Sequence, residues 1–430
     1  MIPDRADVAI VGAGTAGAAA AALCARRGLR VVCVDRRPLD AAGARWVNGV
    51  PAAAFDAAGI ARPTGAECRG TGAPFHLVAG WGPQRLVLRD HGVWEVDMRL
   101  LVARLQDAAR EAGAVLAGGV RATAAGGGAL HTDRGTVRAA AIVDASGLAG
   151  ARLLGQPAVR RTDLCAAAQA VFAVDDRAAA EDFFARHGVS PGDTLCFTGI
   201  HGGFSILNVR LAGGDLSVLT GSIPALGHPS GEHILRAFAA EHAWIGARRF
   251  GGARAIPLRR PYDRLAADGV AALGDAACQV FPAHASGIGA GLVAARMLAD
   301  ALADGRGVDT YAVRWQRTHG GLLAAYDVFR RLSQALTADE LARLIEKGIM
   351  DPDLAAAGLA QRAPVPSPAS LPGKLVGLLT EPVLAARMAD ALARMVAVRA
   401  LYAAYPRRPA DRPAWSRRVA RVFGDRPDPV

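Results

Sequence analysis

Gly12, Gly14 and Gly17 stand in GxGxxG spacing within DVAIVGAGTAGAAAAALCARRGLRVVCVD, the run from Asp7 to Asp35. In such a pattern the first glycine allows a tight turn out of a strand. The second lets backbone approach a pyrophosphate, and the third lets the next helix pack on the strand. Thr15 and Ala16 open that helix, whose free N–H groups and positive macrodipole end face the phosphates. Asp35 follows Gly17 by 18 residues at the end of a second apolar run, where a carboxylate accepts hydrogen bonds from ribose hydroxyls. Its charge repels a 2′-phosphate, so FAD or NAD fits better than NADP, although Arg36 and Arg37 soften that exclusion. In a chain with 50 glycines a bare match means little. Here both strands, the helix and the acid are in register with it.

Two further small-residue turns lie far along the chain. Ala139 to Asp144 (AAAIVD) reads as a buried strand running into Ala145, Ser146 and Gly147, at the strand edge where open α/β sheets bind ligands. From Gly269 to Ala303 the chain reads GVAALGDAACQVFPAHASGIGAGLVAARMLADALA. A strand ends at Gly274 and Asp275, Pro282 breaks the loop, and Gly287, Ile288 and Gly289 open a long helix. Asp275 could hold a polyol, and the helix N-terminus could stabilise negative charge on an electron-accepting ring. His284, between Pro282 and Gly287, would lie near that ring with a pKa range suited to proton transfer at neutrality. The plainer reading is a loop histidine that caps the helix or faces solvent.

Other elements must position these groups. Asp97 caps a helix expected over 98–112 and ended by Gly113. Arg99 opposes the dipole at its start, which points either to a phosphate partner or to an ordinary surface arginine. Between Arg160 and Pro257, stretches such as Phe204 to Leu211 and Leu216 to Ile223 read as antiparallel strands with apolar inward faces. Such a face over a ring would favour an apolar substrate, at about 25 cal/mol per Å² buried, although most of these residues would simply pack a core. Tyr311 to Tyr405 reads as helices interrupted by a Pro-rich linker at Ala363 to Pro372. Trp46, Asn48 and His201 are weaker candidates for the pocket wall.

With 430 residues, 52% hydrophobic and 21% charged, and a mean hydropathy of +0.20, the chain is globular and large enough for two or three units. The uncharged stretch from Val8 to Ala25 follows a strand-turn-helix pattern, so a soluble cytoplasmic protein is expected. Net charge is +11, carried almost wholly by arginine, since Lys347 and Lys374 are the only lysines. From Arg387 to Val430 there are ten arginines against four aspartates, a net of +6. This stretch reads as a solvated arginine-rich tail, with peripheral contact to anionic lipid as the functional alternative and no nucleic-acid partner. The six cysteines form no CxxC pair and no metal-ligand cluster, so no metal is expected.

Taken together, the GxGxxG with Asp35, the DASG at Asp144 to Gly147, and the GDAA at Gly274 to Ala277 with Pro282 and Gly287 to Gly289 carry a family resemblance. They resemble the flavoprotein superfamily of para-hydroxybenzoate hydroxylase, geranylgeranyl reductases and flavin-dependent halogenases, over about residues 5 to 310. The resemblance implies an α/β fold, α+β overall: a Rossmann-like FAD-binding domain, an antiparallel-sheet substrate domain and a C-terminal helical region. The FAD-binding domain would be discontinuous, from residues 1–65, 96–158 and 260–310. Residues 66–95 and 159–259 would form the substrate domain, and 311–430 the helical region with its basic tail. FAD would be held by Gly12, Gly14, Thr15, Ala16, Gly17, Asp35, Arg36, Arg45, Ala145, Gly147, Asp275, Pro282, Gly287, Ile288 and Gly289. Arg99 matches an arginine that contacts FAD, and Val120, on the strand after its helix, a position whose backbone meets adenine.

Only one nucleotide-binding βαβ is visible, so electrons would come from transiently bound NAD(P)H, a flavin reductase or another donor. The halogenases resemble one another in an early lysine and a WxWxIP segment, neither of which this chain has. Its DASG, with Arg152 downstream, is closer to geranylgeranyl reductases and halogenases than to the hydroxylases, and the helical tail resembles the reductases. One departure is Asn48, in the place of a cysteine that the reductases often carry. The expected activity is double-bond reduction or dehydrogenation, or oxygen-dependent hydroxylation as in a monooxygenase, on a hydrophobic isoprenoid or other natural-product-like molecule. A non-redox flavin-assisted cyclase or isomerase, and a flavin-binding module without catalysis, are the alternatives.

Overall fold

The computed structural model describes residues 2–364 and 371–430. Its first sheet is a parallel core in the order β18 (Val270–Ala272), β11 (Gly135–Asp144), β1 (Arg5–Val11), β2 (Val31–Asp35) and β8 (Val115–Gly118). The antiparallel strand β17 (Ala266–Ala267) adds at the β18 edge. A hairpin of β9 (Ala122–Gly126) and β10 (Ala129–Thr132) pairs with the start of β11. Strands β1 and β2 are near-continuous apolar runs because helices cover the sheet. Helix α1 (Thr15–Ala25) is buried nearly all round, and its alanines let α6 (Ile288–Ala303) and α3 (Met98–Glu111) pack closely against it. As expected, Asp97 caps α3, accepting from the Arg99 N–H at 3.1 Å. Val120, expected on a strand, lies instead in the turn between β8 and β9.

A seven-stranded sheet follows, in the order β16 (Ile245–Pro257), β12 (Leu164–Val174), β15 (Asp215–Ser222), β14 (Ser205–Ala212), β13 (Thr194–Thr198), β5 (Phe75–Ala79) and β6 (Arg85–Leu88). Only the β13–β5 pair is parallel. The strand period sends Leu207, Val209, Leu211, Leu216 and Val218 to one face, where they form a core with Phe183, Phe184, Phe238 and Trp244. Helices α4 (Arg177–Arg186) and α5 (Gly231–Glu241) supply three of those aromatics. The expected apolar alternation is therefore real, but it faces these helices rather than a ligand.

A small sheet of β3 (Val47–Pro51), β7 (Val93–Asp97) and β4 (Cys68–Gly70) joins the two larger ones, beside α2 (Ala52–Ala58). Gln169 of β12 imitates a strand partner for it: its amide oxygen accepts from the Val47 N–H at 2.6 Å and its amide nitrogen donates to the Val47 carbonyl at 2.7 Å.

Beyond α6 the described chain is helical: α7 (Gly307–Trp315), α8 (Gly321–Gln334), α9 (Ala338–Glu346), α10 (Pro352–Leu359), α11 (Leu371–Thr380), α12 (Pro382–Ala403) and α13 (Arg412–Phe423). Most of the Pro-rich linker at Ala363 to Pro372 lies outside the described residues. The reading of a solvated tail needs correction. Tyr402, Tyr405 and Trp415 are buried in a core of their own, because aromatic rings on α12, on α13 and in the turn between them pack together beside α8. After α13, Asp425 pairs with Arg160 and Arg331 at 2.6 Å each, and Asp428 pairs with Arg259 at 2.5 Å. Among the described residues no helix is long and apolar enough to cross a membrane.

Candidate functional site

The three distant turns interlock through atoms that only glycine leaves free. A methyl group at Gly12, whose φ is +104°, would lie 2.3 Å from the Ala145 carbonyl oxygen. At Gly17 it would lie 1.8 Å from the Gly12 carbonyl oxygen. Ala16 packs on the third turn, its Cβ 3.0 Å from where a Gly274 Cβ would stand and 3.2 Å from that of Gly291. The ends of β1, β11 and β18 therefore meet at the N-termini of α1 and α6.

Side chains then fix the turns. Asp35, buried at the end of β2, accepts from the Ala13 and Arg37 N–H groups at 2.9 Å each, tying the glycine loop to β2. Each of its oxygens keeps a lone pair for a further donor. Asp144 accepts from the Ser146 N–H at 3.1 Å and the Leu153 N–H at 2.8 Å, which holds the Ala145 to Gly147 turn. Val120 donates its N–H to the Asp35 carbonyl at 2.8 Å. Thr15 is buried at the start of α1.

At the other end, Gly287 precedes α6 without a side-chain cap, so the first-turn N–H groups, Ile288 and Gly289 among them, remain available. A Cβ at Gly287 would lie 3.0 Å from both Asp275 Oδ1 and Val280, so the acid lies directly over the helix start. Burial raises the Asp275 pKa, opposed by Arg254. Pro282 is buried in the loop between the acid and the helix. An acid at β2, a glycine cradle and an uncapped helix end beside a second acid suit a molecule with a ribose, a pyrophosphate and a ring that gains negative charge.

Some residues of the expected cofactor set have other partners here. Arg99 forms an ion pair with its own helix cap, Asp97, at 2.7 Å, and its guanidinium lies 3.5 Å from the Phe250 ring centroid. This carboxylate accounts for a basic residue at a helix start. Arg45 is exposed and donates to the Asp40 carbonyl, and Arg36 is exposed and donates to the Ala149 carbonyl at 3.3 Å.

The structure also brings in two residues that sequence reasoning missed. Gln106 of α3 donates its amide N–H groups to the Ala13 and Leu39 carbonyls at 2.9 Å each, bracing the glycine loop from below. Arg254 of β16 donates to the Gly43 carbonyl and feels Asp35, Asp275, Arg36 and Arg37 at once. Burial and Arg37 lower its pKa. No local pattern marks either residue, since Arg254 stands 211 positions from its partner.

From the α6 end a cavity of ≈330 Å³ opens under the seven-stranded sheet. Asn48, Ala283 and His284 line it near β3, and Tyr326, Phe329, Leu341 and Leu354 of the C-terminal helices, with Met350 between α9 and α10, close the far side. Trp46 is excluded from it, being part of the main core with its indole N–H buried and unpaired. His201 is also outside, exposed on the turn between β13 and β14, with its pKa lowered by burial and by His228 and His233. His284 lines the cavity, and its Nε2 is buried without a partner. Burial pushes its pKa down to about 4, against the pull of backbone groups at His284 and Gly358. The expected titration near neutrality is thereby corrected: this imidazole is uncharged at pH 7. Among the described residues no cluster of His, Cys, Asp or Glu could hold a metal.

Comparison with known proteins agrees with this geometry. The model of an NAD(P)-binding Rossmann-like domain matches residues 10–46. A digeranylgeranylglycerophospholipid reductase of Sulfolobus acidocaldarius is 25% identical over 97% of both chains. One from Methanothrix thermoacetophila is 27% identical over 79% of this chain and 90% of its own. Along most of its length this chain is similar to digeranylgeranylglycerophospholipid reductases. Among solved structures, a geranylgeranyl bacteriochlorophyll reductase-like protein of Thermoplasma acidophilum aligns with a TM-score of 0.70 at 16% identity, over 90% of this chain and 99% of that one. The halogenase PltM, solved as a variant in complex with FAD, aligns with a TM-score of 0.64 at 14% identity, over 97% and 96%. The chain therefore shares its fold with both of these solved proteins.

Proposed function

We propose that this protein is an FAD-dependent oxidoreductase that reduces, or in reverse desaturates, a carbon–carbon double bond in an isoprenoid-like chain. The observation that carries the reading is the cavity, walled mainly by apolar side chains, that runs from the uncapped start of α6 to the C-terminal helices. Asp35 would hold the adenosine ribose, the Gly12 to Gly17 loop with Arg254 the pyrophosphate, and Asp275 with the α6 N-terminus the ribityl chain and ring. The bound flavin would supply hydride transfer. The protein's part is to exclude water from the apolar chain and to hold one of its double bonds beside the ring. A proton is also required at the second carbon, and burial lowers the pKa of His284, the imidazole that lines the cavity.

The electron donor would be transiently bound NAD(P)H or a partner reductase, since one βαβ serves the FAD. The apolar outer face of α12 would rest on a membrane that holds the substrate.

The test is to purify the protein, record its visible spectrum, reduce it anaerobically with NADH, NADPH or dithionite, and add geranylgeraniol. Reoxidation matched mole for mole by loss of a double bond is expected. Absence of bound flavin would sink the proposal. Turnover without net consumption of reductant would make it an isomerase, and reoxidation that requires oxygen and yields a hydroxylated product would make it a monooxygenase.

A further inference from the structure

Asn208 stands mid-strand in β14, on the face of the sheet that looks into the cavity. Its cross-strand neighbours are Leu219 of β15 and Cys196 of β13, and its Oδ1 is buried with no hydrogen-bond partner. An amide oxygen left unsatisfied in this way forfeits the hydrogen bond it would make in water. A leucine or valine would fill the place without that penalty and would suit the strand better.

The polar groups beside it in the sheet do not relieve it, because each has partners of its own. Gln169 holds both backbone groups of Val47 and donates to Ser217 Oγ at 3.1 Å. One row further along the sheet, about 7 Å away, Ser217, Arg210 and Thr194 stand side by side. There Arg210 donates to the Gly192 carbonyl at 2.8 Å, to the Arg69 carbonyl at 3.0 Å and to the Glu95 carboxylate, while Thr194 donates to Glu95 at 3.4 Å. The charges at that end of the cavity are thus matched to one another. Asn48 of β3 lines the same cavity and takes part in no hydrogen bond through its amide among the described residues.

We propose that Asn208 supplies a neutral polar subsite that holds an uncharged hydrogen-bonding group, in the simplest case an alcohol, on an otherwise apolar substrate. The inference rests on the cavity being the substrate site. An amide both donates and accepts, as a hydroxyl does, so the two pair fully. An anionic group only accepts, and it would find the buried Asn208 oxygen against it and no unmatched arginine to bind.

The test is equilibrium binding to the FAD-loaded protein, read from perturbation of the flavin absorption, with geranylgeraniol, its methyl ether and geranylgeranyl diphosphate. The alcohol is expected to bind roughly tenfold more tightly than the ether, which accepts but cannot donate. In Asn208→Leu the alcohol should lose that advantage while the ether binds at least as well as before. Asn208→Val, with its high strand propensity, repeats the measurement should the leucine variant fold poorly. Equal affinities for alcohol and ether in the unsubstituted protein, or a preference for the diphosphate, would overturn the subsite while leaving the cavity as the substrate site. Failure of all three ligands to perturb the flavin would overturn the substrate reading and the subsite with it.

Discussion

At Gly17 a methyl group would lie 1.8 Å from the Gly12 carbonyl oxygen, whereas at Asn208 the surroundings leave an amide oxygen with no partner. The nucleotide layer is determined by backbone atoms packed too closely for any side chain, and the cavity by side chains from strands and helices hundreds of residues apart. A site of the first kind leaves glycines at fixed spacing, and a site of the second kind leaves no local trace. The first also tolerates almost no substitution, while the second can change its ligand one residue at a time.

The contrast breaks most visibly at Gly17. Gly17→Ala forces apart the turn that joins β1, α1 and the Ala145 loop, and it is expected to cost about 3 kcal/mol or more with loss of bound FAD. Gly28 is the control, since its φ is +81° but a methyl group there meets nothing within 4 Å. Gly28→Ala should therefore cost only about 1–2 kcal/mol, from backbone strain. Thermal denaturation and retained flavin are the measurements. Equal losses in the two variants would show that close approach does not decide the layer.

The same contrast explains how much could be read in advance. The dinucleotide unit, the capped helix α3 and the strand-to-helix turn at Gly287 were legible because each rests on a local rule of turn, cap or period. Even the apolar alternation of β14 and β15 was legible, but not which face met the cavity, since that depends on where α4 and α5 pack. Arg254, Gln106 and Asn208 were hidden because a single arginine, glutamine or asparagine has no pattern. The pKa of His284 was hidden for a related reason: burial lowers it, and no local pattern in the sequence reports burial.

That histidine gives the second largest effect. Its folded pKa of about 4 lies below the unfolded value of about 6.5, so protons bind the unfolded chain preferentially. The native state then loses stability as pH falls from about 6.5 to about 4, by on the order of 3 kcal/mol, and the loss levels off below. His284→Gln should remove this part of the acid sensitivity while changing little at pH 7.5. The check is denaturant unfolding of both proteins across that range. Parallel curves would mean that the imidazole is not held neutral by the fold.

Arg254 links the two regions, reaching from the seven-stranded sheet to the acids of the nucleotide layer. Arg254→Ala should weaken FAD binding about tenfold, measured by quenching of FAD fluorescence, with a smaller penalty in high salt because part of the attraction is screened. An unchanged affinity would confine the cofactor to the glycine layer alone.

The smallest effect on stability belongs to a surface outside both regions. Val383, Leu392 and Val396 on α12 are 74%, 57% and 69% exposed, and Leu379 on α11 is 82% exposed. Between the valines and the leucine the exposed positions are mostly alanine with Asp390, and Arg394, paired with Asp390 at 2.9 Å, and Arg399 flank the stripe. The opposite side of α12 reaches the cavity through Met395. Such a face would enter a bilayer surface by burying its apolar side chains, while the arginines meet anionic headgroups. Changing Leu392 and Val396 to serine should alter unfolding stability by no more than about 0.5 kcal/mol each, because neither side chain is buried in the protein. The same change should reduce co-sedimentation with phosphatidylglycerol vesicles several-fold, since the lost burial falls wholly on the lipid-bound state. Retained vesicle binding in the double variant would move the contact from α12 to the arginines of α13, and with it the route by which an apolar substrate reaches the cavity.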